Sequence, residues 1–246
     1  MKCILLCAGY AKRLSPLTDN FPKPLLEIEE GKPIMDYILE EVNTIEEVDE
    51  IAVITNERYY EHFLKWANEK LENPIPIKIV NDQTTSNEDR LGAIGDIQYT
   101  IDELDLNDDL LIIAGDSLFE MKLRDYVDFY HKVKGPVIAC KTNNDYEALK
   151  SFAVVSVAKN KKITNFVEKP KEPPSNLAGY AIYLYPKEVI PMIKEYLEAG
   201  NKPDAPSYLF EYIYQRMPSY GFVFEEDFFD VGTHESLALV REKYQK

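Results

Sequence analysis

Two groups of charged residues in this chain are placed where they could do chemistry: cations crowded into one early segment, and carboxylates standing singly beside apolar runs. Residues 8–25 read AGYAKRLSPLTDNFPKPL. Small side chains at Ala8, Gly9 and Ala11 would let a ligand approach the backbone closely, and backbone N–H groups attract anions. Lys12, Arg13 and Lys23 put three cations in the same stretch, with Pro22 and Pro24 stiffening the chain on either side of Lys23. The whole chain carries 28 Lys+Arg against 43 Asp+Glu, a formal charge of −15. Against that background the cluster suits a triphosphate, although by charge alone a solvated basic turn describes it equally well. Asp116 follows the apolar run LLIIA at 110–114, and Asp230 sits among aromatic residues ahead of Gly232. A carboxylate at such a place is costly unless it binds a cation, and two of them with phosphate oxygens would make an oxygen-ligand Mg²⁺ site. Taken alone, each is more often an ordinary helix cap or turn former. Neither G-x-x-x-x-G-K-[ST] nor G-x-G-x-x-G with a ribose-holding acid is present, so the early segment is not one of the common nucleotide loops.

Taken in order, these segments resemble the sugar-phosphate nucleotidylyltransferases, the NDP-sugar pyrophosphorylases that include glucose-1-phosphate thymidylyl- and uridylyltransferases. The family signature G-x-G-T-R-L-x-P-L-T with P-K-P/A-L is matched at Gly9, Arg13-Leu14, Pro16-Leu17-Thr18 and Pro22-Lys23-Pro24-Leu25. Ala11 and Lys12 depart from it, standing where the family has Gly and Thr. Gly115-Asp116 is similar to the family's G-D, and Asp230-Val231-Gly232-Thr233 to W-x-D-I-G-T, with Phe228 near the Trp position. Phe166-Val167-Glu168-Lys169-Pro170 is similar to F-x-E-K-P, and Ala178-Gly179-Tyr180 to N-A-G-x-Y, Leu177 replacing the Asn. Leu91-Gly92-Ala93-Ile94-Gly95 resembles L-G-T-A-G, and Gln83 lies where the family often keeps a base-reading Gln.

The resemblance implies a nucleoside triphosphate bound along Leu6, Ala8, Gly9, Tyr10, Ala11 and Lys12, with Gln83 and Gly92 near the nucleoside. Arg13 would hold the β/γ-phosphates and Lys23 the α-phosphate as the catalytic cations. Lys169 would grip the phosphate of a hexose 1-phosphate, Glu168 the sugar hydroxyls, Gly179 would leave room for the sugar, and Asp116 with Asp230 would bind Mg²⁺. A cytidylyltransferase acting on phosphocholine and a catalytically silent nucleotide-sugar-sensing subunit stay open as alternatives. A glycosyltransferase fits less well, because Asp116-Ser117-Leu118 lacks a paired D-x-D.

The elements that must position these residues follow from periodicity. Short apolar runs at 2–7, 51–55, 76–80 and 109–114 predict strands, and 33–46, 59–71 and 91–103 predict helices between them. Alternating strands and helices imply βαβ units. After a helix at 122–134, runs at 136–140, 151–157, 161–167 and 178–185 predict strands in near succession, with a hairpin turn at Asn160-Lys161. Helices at 187–199, 206–216 and 234–245 complete the chain. The expected fold is α/β, a Rossmann-like three-layer sandwich with a mixed, mainly parallel sheet, forming one catalytic domain over 1–246. The polar loops 81–90 and 141–150 are long for a compact fold, and such loops at strand ends commonly hold ligands.

Cys3, Cys7 and Cys140 read as buried small hydrophobes, and His62, His131 and His234 are too scattered for a zinc site. Sparse thiols, no long apolar span and no signal-like start predict a cytoplasmic protein with no membrane partner. The acidic surface argues against nucleic acid as a partner. A homo-oligomer is compatible with everything the sequence contains.

Overall fold

The computed structural model describes residues 1–245. In chain order its first half contains β1 (Lys2–Leu6), the hairpin strands β2 (Glu27–Glu29) and β3 (Lys32–Pro33), α1 (Ile34–Val42), β4 (Glu50–Thr55), α2 (Tyr60–Asn68), β5 (Ile77–Asn81), α3 (Ala93–Leu104) and β6 (Leu110–Ala114). The second half contains β7 (Ser117–Phe119), α4 (Leu123–Val133), β8 (Val137–Thr142), α5 (Tyr146–Leu149), β9 (Ala153–Val157), β10 (Ile163–Glu168) and β11 (Leu177–Tyr185). It ends with α6 (Ile190–Glu198), α7 (Pro206–Tyr214), β12 (Tyr220–Phe224), β13 (Phe228–Asp230) and α8 (His234–Tyr244).

One nine-stranded mixed sheet runs through both halves. β6, β1, β4 and β5 lie parallel, as apolar strands separated by helices require. β1 shows why it is central: Cys3 and Leu5 enter the core on one face and Ile4 the core on the other, so both faces need cover. α1, α2, α4 and α8 pack on the first face, α3, α6 and α7 on the second, which gives three layers. β11 joins the halves. Its residues Ile182 to Tyr185 pair antiparallel with β6, Ala178 and Gly179 pair with β9, and its other edge pairs with β8.

The Asn160-Lys161 turn forms as its sequence predicts. Lys161 adopts φ +66°, the Asn160 side-chain oxygen accepts from Lys162 N–H, and β9 and β10 pair antiparallel. Several boundaries are shorter than the apolar runs suggest, and the loop at 141–150 gives two residues to β8 and four to α5. Asp145 starts α5 by accepting from Glu147 N–H and Ala148 N–H at 3.0 Å. The strands β2, β3, β7, β12 and β13 are additional to the sequence-based elements. Four of them span three residues or fewer, except β12, too short for a period-2 pattern to register. No helix among the described residues is long and apolar enough to cross a membrane.

Candidate active site

The segment after β1 is held open by buried polar clamps. Asn56, fully buried at the end of β4, donates from its side-chain amide to the Ala8 carbonyl at 2.8 Å. Thr18 Oγ1 donates to the Ala11 carbonyl at 2.9 Å, and the Tyr59 hydroxyl donates to the Thr18 carbonyl at 2.7 Å. These bonds fix the loop from below and leave its other side free. Ala11 sits at φ +43°, a left-handed conformation unusual for a residue with a Cβ. Among the non-glycine residues at positive φ, Asp105 and Lys134 cap α3 and α4, and Lys161 forms the hairpin turn. The other three are Ala11, Gln83 and Lys169, each already singled out for ligand binding. Strain of this kind concentrates where geometry serves a ligand rather than stability.

Lys23 is the electrostatic centre. It lies in a turn of 3-10 helix, 5% exposed, with its ammonium 2.7 Å from Asp116 Oδ2 and 3.5 Å from Asp230 Oδ1. The two acids meet because β13 pairs with β7, which sets Asp230 opposite Ser117, next to Asp116. The glycines of both motifs have packing reasons. A Cβ on Gly115 would lie 2.3 Å from Cys7 Sγ, so only glycine lets β6 leave the sheet beside the end of β1. A Cβ on Gly232 would lie 3.0 Å from Arg13 Nη2 and 3.3 Å from Asp230 Oδ1, so this glycine seats the guanidinium.

A cavity of about 350 Å³ opens beside these groups. Nine of the residues singled out in the sequence line it: Leu6, Ala8, Gly9, Tyr10, Ala11, Arg13, Lys23, Gly92 and Asp116. Asp230 borders it through Lys23. Gly92 caps α3 at φ +79°, where a Cβ would strike the Pro203 carbonyl at 2.7 Å, so its bareness also admits the 203–204 backbone.

The remaining residues lie elsewhere. Lys12 faces a neighbouring cavity of about 400 Å³ with Arg58 and Glu88, its ammonium 3.9 Å from Glu88. Gln83 turns its amide to the Tyr99 hydroxyl at 3.1 Å, not into the cavity. Glu168 is buried at the end of β10 with Oε2 unpartnered, and the exposed Lys169 stands 3.8 Å from its other oxygen. Gly179 has a packing reason of its own: a Cβ there would meet Ile138 Cδ1 at 2.8 Å and Ala153 Cβ at 3.4 Å, so its bareness makes room for the core.

The cavity also contains acids and a cation that the motifs do not include. Asp82 and Asp96, 5% and 6% exposed, line it together with Asn87, Arg90 and Asp204. Burial and then the neighbouring Asp82 charge push the Asp96 carboxyl up to about 8, and burial raises Asp82 as well. Arg90 donates to Asp204 Oδ1 at 2.8 Å and to the Asn87 carbonyl at 2.6 Å. Asp89 pins the adjoining turn by accepting from Thr85 N–H and Ser86 N–H, which lowers its carboxyl to about 2.

The family model described as nucleotidyl transferase matches residues 2–246. The chain belongs to the nucleotidyl transferase family. It is 31% identical over 199 residues to the bifunctional protein GlmU of Methanocaldococcus jannaschii, covering 79% of this chain and 42% of that protein. It therefore spans less than half the length of that relative. Glucose-1-phosphate adenylyltransferase of Geobacillus stearothermophilus is 25% identical over 96% of this chain and 64% of its own length. In fold the chain matches UDP-glucose pyrophosphorylase solved with UDP-glucose, at a TM-score of 0.84 and 20% identity, over 99% of this chain and 98% of the other. The mixed sheet covered by helices is the architecture of these nucleotide-sugar enzymes.

Proposed function

We propose that this nucleotidyl transferase joins a nucleoside triphosphate to a sugar 1-phosphate, releasing pyrophosphate, with the chain acting as one catalytic domain. The observation that carries the reading is Lys23, buried at the cavity floor with Asp116 and Asp230 gathered around its ammonium. An oxygen of the sugar phosphate attacks the α-phosphorus, and the bond to the bridging oxygen of pyrophosphate breaks. The attacking oxygen is anionic near neutral pH, so no general base is needed, and positioning plus charge stabilisation lower the barrier. The phosphate loop offers backbone N–H groups to the triphosphate, Arg13 meets the β/γ-phosphates and Lys23 the α-phosphate. Lys169 takes the sugar phosphate, and the unpartnered Glu168 Oε2 accepts from sugar hydroxyls.

Mg²⁺ fits the donor set. Two carboxylate oxygens lie within 2.7 and 3.5 Å of one ammonium nitrogen, so both already surround a single cationic point, and hard oxygens are what this ion takes. Among the described residues no group of three or more His, Cys, Asp or Glu could hold a metal, so Asp116 and Asp230 would hold the ion only together with ligands from substrate or water. When bound, the ion supplies neutralising charge between the phosphates. A phosphocholine substrate calls for an open aromatic cage. The rings near Asp230 pack on one another instead, Tyr180 tilted against Phe228 with centroids 4.1 Å apart.

The test is pyrophosphate release from ATP, CTP, GTP, UTP and dTTP, each against a panel of hexose 1-phosphates and phosphocholine with Mg²⁺. Release only with a sugar 1-phosphate is expected. Release only with phosphocholine, or none at all, overturns the proposal.

A further inference from the structure

The lining of the nucleotide cavity has one pair of groups that the transfer chemistry does not use. Asp82 ends the β5 side of the wall and Asp96 lies in the first turn of α3, just past Gly92 and Ala93. Both carboxyls are more than nine-tenths buried, and both line the cavity. Asp82 Oδ1 accepts from Thr84 N–H at 2.7 Å, whereas Asp82 Oδ2 and Asp96 Oδ1 receive no donor from the described protein. Each carboxyl bears on the other's protonation, and Thr84 and Asp89 bear on Asp82 as well.

Two carboxyls so close in a dry wall keep one proton between them, because both cannot hold a charge without a counter-ion. Four oxygens then share one proton and the donors of Thr84. Acceptor capacity is left over, and it must be met by whatever fills the cavity.

We propose that Asp82 and Asp96 read the nucleobase and select a base bearing an exocyclic amino group (adenine, cytosine or guanine) over uracil and thymine. This rests on the reading of the cavity as a nucleotide site. An amino group brings two N–H donors to an acceptor-rich wall. Uracil and thymine bring a single N–H flanked by two carbonyl oxygens, which would face carboxyl oxygens with no hydrogen between them. Sites built on buried polar groups reject the ligand that leaves those groups unpaired. Gln83, the residue the sequence suggests for base reading, turns to Tyr99 instead, which leaves the role to this pair.

The experiment is calorimetric binding of ATP, CTP, GTP, UTP and dTTP to the full chain with Mg²⁺, alongside pyrophosphate release with each. At least one amino-bearing nucleotide should bind about tenfold more tightly than UTP and dTTP. Asp96→Asn supplies its own N–H donors to Asp82, and it should shrink that ratio about tenfold while leaving UTP binding no weaker. A merely structural tie between β5 and α3 would weaken all nucleotides together. Tighter binding of UTP or dTTP, no binding of any nucleotide, or an unchanged ratio in folded Asp96→Asn overturns the proposal. If that variant does not fold, the wild-type ratio decides. Selective binding without pyrophosphate release from any partner would sink the transferase reading and leave the base reading standing.

Discussion

The two walls of the cavity are built on opposite electrostatic plans. On the phosphate side, cations and acids are matched: Lys23 answers Asp116 and Asp230, and Arg13 packs on Gly232 beside Asp230. On the α3 side, Asp82 and Asp96 answer each other's charge with no matched partner but Thr84 for Asp82, and the nearby Arg90 is engaged by Asp204. The first arrangement keeps charges fixed for a reaction that moves charge. The second keeps a proton in a place where full ionisation is prevented. Charged groups on the two walls should therefore fail differently when altered.

The largest effect is expected where both acids on the phosphate side are removed. Asp116→Ala with Asp230→Ala should abolish turnover and with it any dependence on Mg²⁺, measured as pyrophosphate release across a Mg²⁺ series. Retained, Mg²⁺-dependent turnover would break the assignment. Lys23→Ala should lower kcat by roughly 10²–10³, as losses of preorganised transition-state contacts do. Near-normal kcat in that variant would mean the matched wall is structural. Lys169→Ala stands outside both walls and should raise KM for the sugar phosphate about tenfold with KM for the triphosphate unchanged. An effect confined to the triphosphate would place Lys169 on the wrong substrate.

The smallest effect separates the walls by pH. In the folded chain Asp96 keeps its proton until about pH 8, against an ordinary value of 3.8. Between those values the folded state binds more protons than the unfolded one, so this group makes stability fall as pH rises through that window. Asp82 and Asp89 are the charges that act on it, directly and through Asp82. Asp96→Asn, uncharged throughout, should raise the melting temperature by a few degrees at about pH 8.5 and by less at about pH 5. An equal shift at both would show that Asp96 is not the proton-holding member.

The legibility of the two walls in the sequence differs for the same reason that their plans do. The early basic segment is local: small residues, three cations and three prolines lie within eighteen residues, and their order with the downstream motifs conveys their use. The parallel strands and their helices were equally legible, since apolar periodicity is local too. The meeting of Asp116 with Asp230 depends on β7 and β13, three residues each, which no periodicity reveals. Asp82 and Asp96 look like any of the 43 acids until the fold buries them. One signal was available. Ala93, Asp96, Ile97, Thr100, Ile101 and Leu104 trace one stripe of the helix, and an acid inside an apolar stripe invites a search for its partner. For Gly179 the motif was visible and its physical reason was not, because the sequence does not say which face a missing Cβ would point to.

The position of Lys23 between two carboxylates has a consequence for the order in which ligands arrive. With its ammonium already serving as their counter-ion, a free divalent ion meets acids whose charge is partly answered, and it should bind poorly alone. On the proposed function, a triphosphate would draw Lys23 toward its own oxygens and free the acids, so nucleotide and metal should enter as one unit rather than in turn. Titrating Mg²⁺ before and after nucleotide would reveal this as an ion that binds second or together, and never first.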